Sequence, residues 1–244
     1  MPNAELYCGT SGFSYTSWKP AFYPERLPST KFLSHYATRL NAVEVNYTYR
    51  RIASAATFQK WLDQTPDHFM FLPKAHMKIT HVLKLREARE FTRYFLESLE
   101  LLRAQNRLGP ILFQLPPSFR ADNEVLEQFV SLLPRSSPSA FEFRNATWFD
   151  ESTYEVLRRW NVGLCLAESE TFETPYVLTA DFVYLRLRKP EYSESDLATL
   201  AHRVNQYRAN GYRTYAIFKH EDTPAGALNA ERLLHGQLPD SWRL

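Results

Sequence analysis

Eight short apolar runs, separated for the most part by segments with helical spacing, leave this chain few folds to choose from. The runs fall at residues 6–12, 42–46, 69–74, 111–116, the front of 139–149, 162–168, 182–188 and 214–220. Helical spacing and N-cap residues mark segments at 29–40, 54–64, 86–105, 122–133, 150–160, 193–208 and 224–234. Strands that alternate with helices pair in parallel, because each crossover returns the chain to the same end of the sheet. Eight repeats in 244 residues match a closed (β/α)8 barrel, typically about 250 residues long. The expected fold class is therefore α/β, a single-domain TIM barrel over residues 1–244, somewhat irregular after strand six, where no clear helix follows. An open doubly wound sheet is the alternative. Against it, no Gly-x-Gly-x-x-Gly motif follows the first run.

Composition removes other classes. Hydrophobic residues at 44% and charged residues at 23% are ordinary globular usage, not that of a disordered chain. No apolar run approaches the roughly 20 residues that span a bilayer, and residues 1–5 carry no basic start to a signal peptide. No membrane partner is expected. Cys8 and Cys165 each sit inside an apolar run, as reduced core thiols of a cytoplasmic protein do. A net charge of +2 is too small by itself to argue for nucleic acid.

The strands carry a second pattern. Side chains alternate along a strand, so Phe141 and Phe143 share one face while Glu142 and Arg144 share the other. The same alternation sends Val43, Val45, Phe69, Phe71, Phe113, Leu115, Val183, Leu185 and Leu187 outward, against the helices. It sends Glu44, Asn46, Lys74, Gln114, Glu142, Arg144, Tyr184, Arg186 and Arg188 inward. Charges inside a core cost several kcal/mol each unless paired. They persist where they neutralise one another, filling the lumen as a salt-bridge network, or where they hold a ligand. Most lie late in their strands, at the end where barrel enzymes place their chemistry.

Two Glu against one Lys and three Arg make that end net positive. The expected partner is an anionic small molecule or phosphate group. Arg144, Arg186, Arg188 and Lys74 would hold it, Glu44 or Glu142 would transfer protons, and Asn46, Gln114 and Tyr184 would orient it. Tyr15, Trp18, Tyr47, Tyr49 and Trp148 are aromatic candidates for the same mouth.

Other chemistries fit less well. Paired carboxylates serve glycoside hydrolysis, with Glu44 and Glu142 as the pair. Glu44, Glu142, Glu168, His220 and Glu221 could ligate a divalent metal ion, as in a metal-dependent phosphodiesterase resembling endonuclease IV-like barrels, but the arginines would sit among them, so metal is the less favoured expectation. No motif for an organic cofactor is present. Lys74, His76, Lys78, His81, Lys84, Arg86 and Arg89 form a basic run, which makes nucleic acid a second candidate partner. Ser11 lies in Gly-Thr-Ser-Gly, not in a Gly-x-Ser-x-Gly elbow. Whether the chain is an enzyme stays open, with a hydrolase as the candidate class.

A family resemblance rests on particular pieces. They are the segments 9–15 with Trp18, 22–24, 43–46, 80–81, Leu-Gly-Pro-Ile-Leu-Phe-Gln-Leu-Pro-Pro-Ser-Phe at 108–119, Phe-Glu-Phe-Arg at 141–144 with Trp148 and Phe149, 180–187 and 229–230. Together they resemble the YecE-like family (domain of unknown function 72). The resemblance implies a TIM barrel and no settled activity. Many members look like Arg-Leu-His-Gly after strand seven and Phe-Asn-Asn-Asp at strand eight. This chain has Arg-Leu-Arg-Lys at 186–189 and Phe-Lys-His-Glu at 218–221.

Overall fold

All eight runs form strands, and every ladder between them is parallel. They are β1 (Leu6–Ser11), β2 (Ala42–Val45), β3 (Met70–Pro73), β4 (Ile111–Gln114), β5 (Ser139–Glu142), β6 (Gly163–Ala167), β7 (Phe182–Leu187) and β8 (Arg213–Phe218). The computed structural model describes residues 4–168, 174–219 and 222–237. The order β3-β2-β1-β8-β7-β6-β5-β4 is that of a barrel opened at one seam. That seam is bridged rather than fully laddered. Phe71 pairs with Leu108 and Lys74 with Leu112, and the amide of Ala75 donates to the Leu112 carbonyl at 2.9 Å. The fold is a nearly closed (β/α)8 barrel.

The helices are α1 (Phe32–Tyr36), α2 (Tyr47–Arg50), α3 (Ala55–Leu62), α4 (Arg89–Ser98), α5 (Glu100–Ala104), α6 (Asn123–Val130), α7 (Glu151–Arg159), α8 (Glu194–Ala209) and α9 (Ala225–Leu234). Of the expected caps, Asp122 and Asp150 accept backbone N–H bonds and Ser193 with Asp196 forms a capping box, while Ser29 lies inside a 3-10 turn rather than at a cap position; Ser54 caps its helix as well. Two expectations change. The helix expected over 29–40 is a 3-10 turn followed by the five residues of α1. The helix expected over 86–105 starts at Arg89 and breaks at Leu99. Lys84, Leu85 and Glu87 stand at positive φ, a left-handed backbone that a right-handed helix cannot include. After β6, residues 174–181 contain no helix, in line with the irregularity expected there.

Alternation sorts the apolar side chains into two separate cores. Val43, Val45, Phe69, Phe71, Phe113, Leu115, Phe141, Phe143, Val183, Leu185 and Leu187 all pack in the layer shared with the helices. Ala42, Met70, Leu72, Leu112, Ala140, Cys165, Tyr184, Tyr215 and Ile217 form the second cluster, in the lumen. The lumen is thus apolar at mid-height and becomes polar only towards the C-terminal strand ends.

Gly9 sets how closely β1 and β2 approach. A Cβ there would stand 1.9 Å from the Ala42 carbonyl oxygen and 2.9 Å from the Tyr36 hydroxyl. That hydroxyl donates to Ala42 O at 2.9 Å and accepts from the Thr10 amide at 2.8 Å, so it staples the helix layer to both strands. Because backbone must move, Gly9→Ala is expected to cost about 3 kcal/mol, the upper end of ordinary overpacking. Urea unfolding would measure it; an unchanged midpoint would show that the strand spacing does not depend on this residue.

Candidate functional site at the barrel mouth

Arg186 occupies the centre of the barrel top and is only 1% exposed. It projects from β7 between Glu44 of β2 and Glu142 of β5, both equally buried. Its guanidinium grips Glu44 with two bonds, Nε to Oε2 at 2.8 Å and Nη2 to Oε1 at 2.7 Å, and its Nη1 donates to Glu142 Oε2. Glu44 also accepts from Ser11 Oγ at 2.7 Å and from the Tyr184 hydroxyl at 2.9 Å. Glu142 also accepts from Gln114 Nε2 at 2.8 Å, Arg144 Nε at 3.0 Å and Arg188 Nη1 at 3.2 Å.

Burial works against ionising either carboxyl. The neighbouring cations outweigh it: Arg186 and Lys74 hold Glu44 below the usual carboxylate range, and Arg186, Arg144 and Arg188 hold Glu142 well below it. Both are therefore ionised at neutral pH. A glycosidase acid needs the opposite, a carboxyl raised towards neutrality.

Above this layer lies a cavity of about 440 Å³ at the C-terminal strand ends, lined by Tyr15, Asn46, Tyr47, Tyr49, Lys74 and Arg144, among others. Arg186 and Gln114 form part of its floor, and Arg50 and Lys219 stand on its rim. Lys74 donates to Gln114 Oε1 at 2.9 Å and lies 4.5 Å from the centre of the Tyr49 ring. Burial pushes its pKa down to about 8; Glu44 and Glu142 partly oppose the shift, while Arg186 and Arg144 add to it. A larger cavity of about 580 Å³ opens near the opposite strand ends, beside Glu5, Ser139, Phe182 and Arg213. That end of a barrel serves stability rather than chemistry, and the charged network is absent from its lining.

The structure thus gathers Glu44, Asn46, Lys74, Gln114, Glu142, Arg144, Tyr184, Arg186 and Arg188 into one hydrogen-bonded cluster, in which Asn46 joins by donating to Ser11 Oγ at 2.9 Å. Tyr184 sits beneath Glu44 with no exposure, so it can orient that carboxylate but cannot touch a ligand in the cavity.

Trp148 is a correction. It is fully buried outside the lumen, its indole donates to the Phe119 carbonyl at 2.8 Å, and its ring stacks on Phe143 at 4.7 Å. Period two cannot place a residue that lies past the strand end in a 3-10 turn. Trp18 is buried as well, which leaves Tyr15, Tyr47 and Tyr49 as the aromatic wall.

Ser11, Arg50 and Lys219 are additions to the expected set. Ser11 pairs with Glu44 across β1 and β2, a register no single strand reveals. Lys219 was legible, since it follows Ile217 at the lumen period at the end of β8. Glu168 accepts from the Tyr192 hydroxyl at 2.9 Å, and His220 and Glu221 lie outside the described residues. Among the described residues no group of three or more His, Cys, Asp or Glu side chains is placed to hold a metal ion. The basic run is divided: Arg86 pairs with Asp122 at 2.7 Å, Lys78 lies over Phe91, and His81 packs on Tyr49. No helix among the described residues is long and apolar enough to cross a membrane.

The family profile for "Protein of unknown function DUF72" matches residues 7–239. The chain belongs to the DUF72 family. It is 29% identical over 156 residues to the UPF0759 protein YunF of Bacillus subtilis, covering 62% of this chain and 54% of YunF. To YecE of Escherichia coli K12 it is 28% identical over 151 residues, covering 62% and 52%. The chain thus spans about half the length of these curated relatives. A solved DUF72 protein from Thermotoga maritima superposes with a TM-score of 0.85 at 30% identity, covering 96% of this chain and 99% of that one. A DUF72 protein from Enterococcus faecalis gives 0.76 at 18% identity, covering 94% and 95%. An AP endonuclease of family 2 from Brucella melitensis shares the fold more distantly, with a TM-score of 0.51 at 11% identity over 98% and 100% of the two chains.

Proposed function

We propose that the barrel mouth binds a small anionic molecule, with a phosphate or carboxylate group held by Arg144 and Arg188 and assisted by Lys74. One observation carries this reading. Three arginines, Arg144, Arg186 and Arg188, pair with two carboxylates, Arg186 alone already bridges both, and Lys74 adds a fourth cation beside them. Arg144 and Arg188 each spend one N–H group on Glu142 among the described residues, and their side chains remain 31% and 23% exposed. A pure lumen-filling network would not need them. Guanidinium groups anchored on one side and open on the other present a preset fork for a phosphate or carboxylate. Tyr15, Tyr47 and Tyr49 would lie against the body of the ligand. In this reading Glu44 and Glu142 are fixed counter-charges that aim the arginines, not proton carriers. The free, buried thiols of Cys8 and Cys165 support a reducing, cytoplasmic setting.

Titration calorimetry with inorganic phosphate tests the proposal. Binding is expected, weakening with added salt. Absence of heat at millimolar phosphate and low ionic strength would overturn it. A pH dependence is also expected. An anion favours charged Lys74, whose pKa lies at about 8, so affinity should hold at pH 7 and fall as pH rises through that value. Buffers of different ionisation enthalpy should then report proton uptake near pH 8. An affinity flat from pH 7 to 9.5 would remove Lys74 from the site.

A further inference from the structure

Lys74 differs from the three arginines of the network. Arg144, Arg186 and Arg188 are each tied to a carboxylate. Lys74 makes no ion pair among the described residues; its ammonium meets a neutral amide oxygen and an aromatic face. A lysine placed only to balance charge would sit on Glu44 or Glu142. Its backbone is fixed on three sides: its amide donates to Val45 O at 3.2 Å, its carbonyl accepts from Thr48 Oγ1 at 2.8 Å, and it bridges to Leu112. The nitrogen therefore stands at a set position in the cavity wall, beside the guanidinium groups.

We propose that Lys74 is a reactive amine that forms an imine with a phosphate-bearing aldehyde or ketone. The proposal rests on the anion site described above: Arg144 and Arg188 hold the phosphate while the carbonyl carbon faces Nζ. The lone pair of the neutral amine attacks that carbon, the C=O π pair moves to oxygen, and proton transfer gives a carbinolamine. Its hydroxyl takes a proton from solvent at the open mouth and leaves as water, and the C=N bond forms. No electrons are gained or lost.

Burial in the cavity wall favours the amine form needed for attack, with Glu44 and Glu142 opposing the shift and Arg186 and Arg144 adding to it. Facing Lys74 are Glu44 from β2, Glu142 and Arg144 from the end of β5, Arg186 from β7, Tyr49 from α2 and His81 from the loop after β3, with Arg50 and Lys219 on the rim. A lysine dehydrated in a pocket that other cations share is an activated nucleophile. With its pKa lowered to about 8, the neutral fraction at pH 7 is on the order of a hundredfold above that of an ordinary lysine.

Borohydride trapping tests the step. The protein is incubated with glyceraldehyde 3-phosphate or with glyceraldehyde, reduced, digested and mapped by mass spectrometry. The expected result is a secondary-amine adduct on Lys74 with the phosphorylated aldehyde, about tenfold above that with glyceraldehyde because the bound phosphate raises the local concentration. Inorganic phosphate should suppress it, and Lys74→Gln should remove it. Phosphate binding without a Lys74 adduct overturns this inference and leaves the anion site standing. Equal labelling by both aldehydes, unaffected by phosphate, overturns both the phosphate-bearing substrate class and the anion site. Neither binding nor adduct overturns both as well.

Discussion

Arg186→Met is expected to lower stability by about 3–5 kcal/mol, the cost of leaving buried carboxylates without their shared partner. For a chain of this size that is a fall in Tm of roughly 6–20 °C. The loss should fall mainly on Glu44. Glu142 keeps Gln114, Arg144 and Arg188, whereas Glu44 keeps the neutral donors Ser11 and Tyr184, with the Lys74 charge nearby but no bonded cation. The pH dependence carries a definite sign. In the native protein both carboxyl pKa values lie below the ordinary range. Their contribution to stability is present above that range and is lost as pH falls through the folded values. In the variant Glu44 loses its charged partner while its burial remains, so its pKa rises and protonation relieves the strain. The gap between wild type and variant should therefore narrow from pH 7 to pH 4. Replacing all three, with Glu44→Gln and Glu142→Gln alongside Arg186→Met, should recover much of the loss, since the uncompensated charge is gone. Thermal melts at several pH values would check this. A gap independent of pH would mean that Arg186 contributes by packing and not by charge.

The inward row of polar residues was legible because period two is a property of the strand itself. Glu44, Gln114, Glu142 and Arg186 all lie within or at the end of regular strands, and each points where alternation sends it. What alternation could not supply is which acid meets which base. Arg186 reaches Glu44 across the barrel, over 142 positions of sequence, and only closure of the sheet brings them together. Surroundings were hidden for a related reason. Glu142 and Arg144 are close in sequence and read as a lone acid and base; in the fold four donors from β4, β7 and the end of β5 converge on the one Glu142 carboxylate. Past the strand ends the period lapses altogether. Asn46 starts a helical turn that alternation did not foresee, and Trp148 turns back into the helix layer. Left-handed residues at 84–87 moved the start of α4 with no glycine to announce them.

Removing the outer pair of guanidinium groups separates a binding site from a filled lumen. The double variant Arg144→Ala, Arg188→Ala is expected to weaken phosphate binding about a hundredfold or more, since each charge-assisted contact contributes roughly 1.5–3 kcal/mol. Glu142 would retain Arg186 and Gln114, so the variant should fold, with a smaller fall in Tm than Arg186→Met produces. The contrast between the two variants is what decides. A network that exists only to neutralise buried charge predicts that both lose stability and that neither affects a ligand. A site built on Arg186 as a floor predicts a large loss of affinity in the double variant at a modest loss of stability. Arg86→Ala serves as a control, because Arg86 pairs with Asp122 and makes no contact with Glu44 or Glu142 among the described ion pairs, and its affinity for phosphate should stay within about twofold of wild type at physiological salt. If calorimetry gives the double variant and this control the same affinity, Arg144 and Arg188 belong to the packing of the barrel and the ligand lies elsewhere.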